Sequence, residues 1–235
     1  MCRMKPIAIA LQSVRQRIVH AETQFGRPLG SVALLAVSKG KPASAVREAY
    51  SAGQTDFGES YVQEAIAKLN ELSDLGDLRW HFIGRIQANK TRFIANRFDW
   101  VHSLDRLKIA RRLSEQREST FAPLSVCLQV NLNMDRAKAG IRVEDTIELG
   151  LRVAELPRLQ LRGLMAIPEP SRDSGVQRRP FRALRELFEK CNAQGLLLDT
   201  LSMGMSSDLE AAVAEGATIV RVGTAIFGPR RLTGA

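Results

Sequence analysis

The sequence predicts an α/β protein: a single-domain TIM-type (β/α) barrel with an extra N-terminal helix. Three observations carry this. Short apolar runs alternate with segments of helical period along the 235 residues, at about 25 residues per unit, which suits a compact parallel barrel. No GxGxxG follows the first strand, as it would in a dinucleotide-binding open sheet. No composition shift or Pro/Gly/Ser-rich linker divides the chain, so residues 1–235 are expected to form one domain.

The elements follow in order. Residues 1–28, MCRMKPIAIALQSVRQRIVHAETQFGRP, read as an amphipathic helix packing on the barrel, because Gln12 and Arg15 interrupt the apolar part that a signal peptide would need. SVALLAVS (31–38) is the first strand. ASAVREAYSAG has apolar positions at helical spacing and a closing glycine. QTDFGE (54–59), RWHFIG (79–84), DWVHSL (99–104) and LSVCLQVN (124–131) are the next strands. VEDTIELGLRVAEL is helical, and LQLRGLMAI (159–167) is the sixth strand. The polar, breaker-rich PEPSRDSGVQRRP (168–180) reads as a mobile loop at the functional rim, and RPFRALRELFEKCNAQG as a helix opening near its proline. DTLSMG (199–204) and TIVRVG (218–223) complete the strands. Trp80, Phe82, Phe93 and Phe98 are expected in the core, and His81 as a satisfied structural histidine.

Composition narrows the function. Three cysteines (Cys2, Cys127, Cys191) and three histidines without ligand spacing point away from a disulfide framework or a metal site and toward a reducing, cytoplasmic setting. No apolar run reaches the roughly 18 residues of a membrane span. The net charge of +9 raises nucleic acid as a partner. The basic residues are scattered beside acids, as in ARRLSEQRE, and pairs such as Arg178–Arg179 and Arg230–Arg231 are short. Solvated helix faces are the better reading, with no specific nucleic acid and no membrane partner expected.

The chemistry starts at LLAVSKGKP. Side chains alternate along a strand, so Lys39 is in phase with Val37, Leu35 and Ala33, facing the interior at the carboxyl end where barrel enzymes work. Lys41, past the glycine, is expected to point elsewhere. A lysine in a partly desolvated pocket is nucleophilic and forms Schiff bases with carbonyls. The bland alternative is a lysine that snorkels to solvent. Glycine-bearing turns follow the last two strands, where barrels often seat a phosphate. Gly204 and Gly223 permit close backbone approach, and Ser206 and Thr224 supply hydroxyls. Ser207 and Asp208 read as helix caps, with Glu210 completing a capping box. Arg221 is an arginine inside an apolar strand, so it needs a carboxylate or a ligand atom as acceptor. A Schiff-base lysine, a phosphate cup and an arginine together suit pyridoxal phosphate. A permanent cation facing the pyridine nitrogen would keep it unprotonated and mute carbanion chemistry.

The stretches LLAVSKGKP, DFGESYVQE, WHFIGRIQANK, QVN followed by KAG, GLMAI, LSMGMSSD and VRVGTAIFG, in this order, resemble the pyridoxal phosphate homeostasis protein family, relatives of the alanine racemase N-terminal barrel. The resemblance implies that Lys39 carries pyridoxal phosphate, that Arg221 lies near the pyridine nitrogen, and that Ser206, Gly223 and Thr224 hold the phosphate with Ser202 and Met203 close by. Gly40, Ser60 and Asp135 depart from the family's usual threonine, asparagine and glutamate, and Ser60 lacks the amide such a contact would use. Gln87, Asn89, Lys90 and Asn131 are candidate rim residues. Lys138 is either a second site for an aldehyde adduct or an exposed loop lysine.

The expected function is intracellular homeostasis of pyridoxal phosphate without substrate turnover, with apo pyridoxal phosphate enzymes as partners. The alternative is a small amino-acid racemase. A racemase needs bases on both faces, and alanine racemase takes its opposing tyrosine from a second domain. Here only Tyr50 and Tyr61 occur, and Tyr61 is the better of two weak candidates. A nucleic-acid-binding barrel is a third reading, resting on charge alone.

Overall fold

A computed structural model describes residues 6–132 and 139–229. The predicted alternation is present: α1 (Ile7–Gln24), β1 (Ala33–Val37), α2 (Ala43–Ser51), β2 (Asp56–Glu59), α3 (Val62–Glu71), β3 (Arg79–Phe82), α4 (Thr91–Arg97), β4 (Trp100–Leu104), α5 (Leu107–Gln116), β5 (Leu124–Asn131), β6 (Ile141–Arg142), α6 (Thr146–Ala154), β7 (Leu159–Met165), α7 (Ser174–Ala193), β8 (Thr200–Ser202), α8 (Leu209–Ala214), β9 (Ile219–Val222) and α9 (Thr224–Phe227). All pairings are parallel. β1 pairs with both β2 and β9, with Leu35 opposite Arg221, and β4 pairs with β5, so eight strands close into a barrel. The two-residue β6 only extends β5 at its edge and was not anticipated.

The strand phase separates two layers. Phe57, Phe82, Val101, Val126, Leu128 and Val220 face outward and pack under the helices with Leu113, Phe181 and Leu184. At about 25 cal/mol per Å² this continuous apolar layer is the main stabilising term. The opposite phase faces the barrel interior, and it is unusually polar: Asp56, His81, His102, Ser202 and Arg221 lie there. Trp100 is stacked against His81 at a ring separation of 5.6 Å, with the Arg162 guanidinium 5.0 Å from the centre of the same ring. α1 packs across α8, α9 and α2.

Two expectations fail locally. α7 begins at Ser174, so Pro180 lies inside a helix where a loop was expected. Proline usually breaks a helix because it lacks N–H. Here Asp173 caps the first turn by accepting from Val176 N–H at 2.9 Å, and Gln177 Nε2 ties that turn to Ser171 O and Ser207 O. The capping box before α8 does not form. Asp208 turns its carboxylate back to Met205 N–H (2.6 Å), and Glu210 is drawn into a two-pronged pair with Arg17 of α1 (2.7 and 2.8 Å).

Candidate functional site

A cavity of about 280 Å³ opens at the carboxyl end of the barrel. Of the sequence-predicted residues, Lys39, Ser206, Arg221, Gly223 and Thr224 line it together. Val37, Ile83, Ile167 and Met205 supply apolar wall. Ser202 and Met203 do not line it. Ser202 is fully buried behind Arg221, and Met203 belongs to the outer apolar layer, because the strand phase turns it away from the interior. Gln87 and Asn89 are exposed and outside the lining, and Lys138 and Asp135 lie outside the described residues. A larger, more open groove of about 540 Å³ runs under α3, α4 and α5. No lysine lines it, and Arg117 there is engaged by the carbonyls of Ala95, Phe98 and Ala122.

Lys39 follows β1 in a turn that the structure holds firmly. Gly40 adopts φ +71°, a left-handed conformation that glycine takes without penalty. Its N–H donates to Glu64 Oε1 (2.6 Å), and the ammonium of Lys68 donates to Ser38 O (2.7 Å), Glu59 Oε1 (2.8 Å) and Glu64 Oε1 (2.5 Å). Ser38 Oγ also donates to Glu59 Oε1 (2.6 Å). Burial raises the carboxyl pKa of Glu59, with Lys68 pulling the other way. This network went unseen in the sequence. The available signal was Lys68 on the apolar face of AIAKL, four residues after Glu64. Lys41 does not point away as expected: it also lines the cavity, donating to Phe227 O (2.7 Å) and Pro229 O (2.8 Å).

The opposite wall is built from the turns after β8 and β9. Gly204 stands at φ +92°, and a side chain there would meet the Ala212 methyl at 2.5 Å. The turn it begins is tightened by Asp208 on Met205 N–H and held from outside by Arg17, which donates to Ser206 O (3.1 Å). Ser206 Oγ in turn accepts from Ala225 N–H (3.3 Å) at the start of α9. The hydroxyls of Ser206 and Thr224 and the start of α9 therefore converge beside Gly223. Arg221 is 4% exposed. Its acceptors in the protein are a hydroxyl and two carbonyls rather than a carboxylate: Nη1 donates to Ser202 O (2.5 Å) and Ser202 Oγ (2.8 Å), and Nη2 to Ala166 O (2.9 Å). Burial lowers its pKa to about 10, so it remains a cation near neutral pH. Such a site can present an amine, a fixed guanidinium and an anion cup to one ligand.

A family model described as the alanine racemase N-terminal domain matches residues 9–231. A Pseudomonas aeruginosa protein called pyridoxal phosphate homeostasis protein is 58% identical over 227 residues, covering 97% of each chain. The chain belongs to the pyridoxal phosphate homeostasis protein family. A relative of the same name from Escherichia coli K12 is 49% identical over 229 residues, 97% of this chain and 98% of that one. Among solved structures, PipY of Synechococcus elongatus with PLP bound is 43% identical, with a TM-score of 0.85 over 94% of this chain and all of that one. Alanine racemase from Corynebacterium glutamicum shares the fold, with a TM-score of 0.69 at 16% identity. Its matched region is 63% of that chain and 96% of this one.

Proposed function

We propose that this family member binds pyridoxal phosphate in the cavity at the carboxyl end of the barrel and serves its homeostasis, with Lys39 linked to the cofactor aldehyde as a Schiff base. The observation that carries this is the placement of Lys39, Arg221 and the Ser206–Thr224 cup on one cavity. The residues fit the group. Ser206, Gly223 and Thr224 would receive the phosphate, Ile83, Ile167 and Met205 would flank the ring, and Arg221 would meet the pyridine nitrogen. When bound, the cofactor supplies an aldehyde that condenses with amines. The protein's own part is to hold that aldehyde masked on Lys39. A charged Arg221 disfavours a second positive charge on the ring nitrogen, which weakens the ring as an electron sink. Tyr61 is 55% exposed and does not line the cavity, which supports a holding role over racemisation. Exchange with amines, including lysines of apo-enzymes, is the proposed route of release.

The test is the visible absorption spectrum with added pyridoxal phosphate, wild type beside Lys39→Ala. A Schiff-base band present in the wild type and lost in the variant is expected. A wild type without the band refutes the cofactor assignment, and a band retained in the variant refutes the lysine. Incubation with L-alanine and chiral analysis gives the second arm. Turnover above the Lys39→Ala control would favour the racemase reading.

A further inference from the structure

The barrel interior holds a chain of polar side chains that the proposed function leaves unused. Asp56 and Arg79 open β2 and β3, and Arg79 grips Asp56 with two hydrogen bonds (2.8 and 2.6 Å). Asp56 Oδ1 lies 3.0 Å from His81 Nε2. His81 Nδ1 lies 2.9 Å from His102 Nε2, and His102 Nδ1 lies 2.7 Å from Ser202 Oγ. Ser202 Oγ is the acceptor for Arg221 Nη1. The chain thus crosses the barrel from β2 through β3 and β4 to β8 and β9 and ends on the cavity wall.

Its ends dictate where the protons are. A guanidinium can only donate, and an ionised carboxylate can only accept. Burial opposes the charge of Asp56, but the bonds from His81 and Arg79 prevail and hold its carboxyl well below the usual range. His81 therefore carries its proton on Nε2. With both imidazoles neutral, His81 Nδ1 is bare and accepts from His102 Nε2–H. His102 Nδ1 is bare in turn and accepts from the Ser202 hydroxyl. One extra proton would reverse the inner links and leave an imidazolium enclosed near Arg79 and Arg221. Burial pushes the basicity of both histidines down, and the neighbouring His81 and Arg221 push that of His102 down further. His81 is 3% exposed and His102 not at all.

We propose that Asp56, His81, His102 and Ser202 act as one proton-ordered chain, in which both histidines are positioning residues that fix the Arg221 guanidinium at the cavity wall. The arrangement gives Arg221 hydroxyl and carbonyl acceptors in place of a hydrogen-bonded carboxylate. Asp208 supports its charge only through space, and the chain's own negative charge stands at its far end, on Asp56. Its role toward the cofactor rests on the reading given above. The proton order does not, and it can be measured without cofactor.

Histidine side-chain ¹⁵N NMR of the ligand-free protein is the first arm, since the chain has three histidines and His20 is exposed on α1. Two imidazoles are expected as neutral Nε2–H tautomers at neutral pH. A buried histidine protonated at Nδ1 there overturns the proton order. The second arm titrates pyridoxal phosphate into His102→Leu, His102→Gln and Ser202→Ala. Leaving the buried Ser202 hydroxyl without its acceptor predicts about tenfold weaker binding in His102→Leu, with a shifted pH profile of the cofactor band. Partial recovery is expected in His102→Gln, whose amide can accept and donate along the same line. Ser202→Ala, the smallest change, should release the His102 tautomer and shift the band's pH profile. Unchanged affinity and pH profile in folded His102→Leu or Ser202→Ala would refute the positioning role. A wild type that gains no band would refute the cofactor reading and the role toward it, while the tautomers still decide the proton order.

Discussion

Lys68→Met tests how the turn bearing Lys39 is held. The substitution keeps most of the side-chain volume but removes an ammonium with three acceptors, leaving Ser38 O and the fully enclosed Glu59 carboxylate without it. Removing one partner of a buried pair costs ~3–5 kcal/mol. A separate limit comes from protonation, because Glu59 can escape its unpaired charge by binding a proton. From an ordinary carboxyl pKa of 4.5 to pH 7 is about 2.5 units at ~1.36 kcal/mol each, so the cost saturates near ~3 kcal/mol. The sign follows from linkage. Glu59 of the variant would be protonated when folded and ionised when unfolded at neutral pH, so the folded state binds more protons and stability recovers as pH falls. The deficit should therefore shrink toward pH 5 by at most ~1.4 kcal/mol per unit, because burial raises the Glu59 carboxyl in the wild type as well. Urea unfolding followed by fluorescence of Trp80 and Trp100, at matched m-values, measures it. A deficit under about 1 kcal/mol that does not change with pH would refute the reasoning.

Gly204→Ala forces a methyl into φ +92° and to 2.5 Å from Ala212. A loss of about 2–4 kcal/mol is expected, lowering Tm by roughly 5–10 °C in a scanning calorimeter. Glu215, 2% exposed, anchors Arg178, Arg182 and Arg185. Glu215→Gln should cost about 1–2 kcal/mol, less than an enclosed pair because the arginines reach solvent, and the deficit should shrink as salt screens the remaining repulsion. Denaturation midpoints at low and high salt check this. Burial pushes the Cys127 thiol up to about 12 and Cys191 to about 11. A disulfide reagent at mildly alkaline pH should therefore leave both unmodified in the native protein and label them only as fast as it unfolds.

The eight barrel strands were legible because parallel strands buried on both faces read as apolar runs, and Lys39 and Arg221 stood out against that background. Strand phase alone placed Lys39 on the interior side. The partners were not legible. Asp56, His81 and His102 come from three different strands, and only barrel closure brings them to Ser202 and Arg221. Phase also fails where the backbone turns, so Lys41 returned to the cavity through carbonyls of residues 227 and 229. Pro180 misled for the opposite reason, since a breaker's penalty was outweighed by the cap and ties of the preceding turn. The proposed capping box had the right residues, but Arg17, far away in sequence, competed for Glu210.

The site joins the two ends of the chain. Arg17 in the first helix grips Ser206 O and Glu210, and β1 reaches its full pairing only when β9 lies beside it, Ala33 against Ile219. During synthesis these partners leave the ribosome roughly 190 residues apart, and at ~5–20 residues per second that delay is about 10–40 s. Over that interval Lys39 exists without the wall that later faces it. A chain interrupted before β9 lacks Arg221, Gly223 and Thr224, so the cavity wall that faces Lys39 is completed only by the last strand and the turn after it.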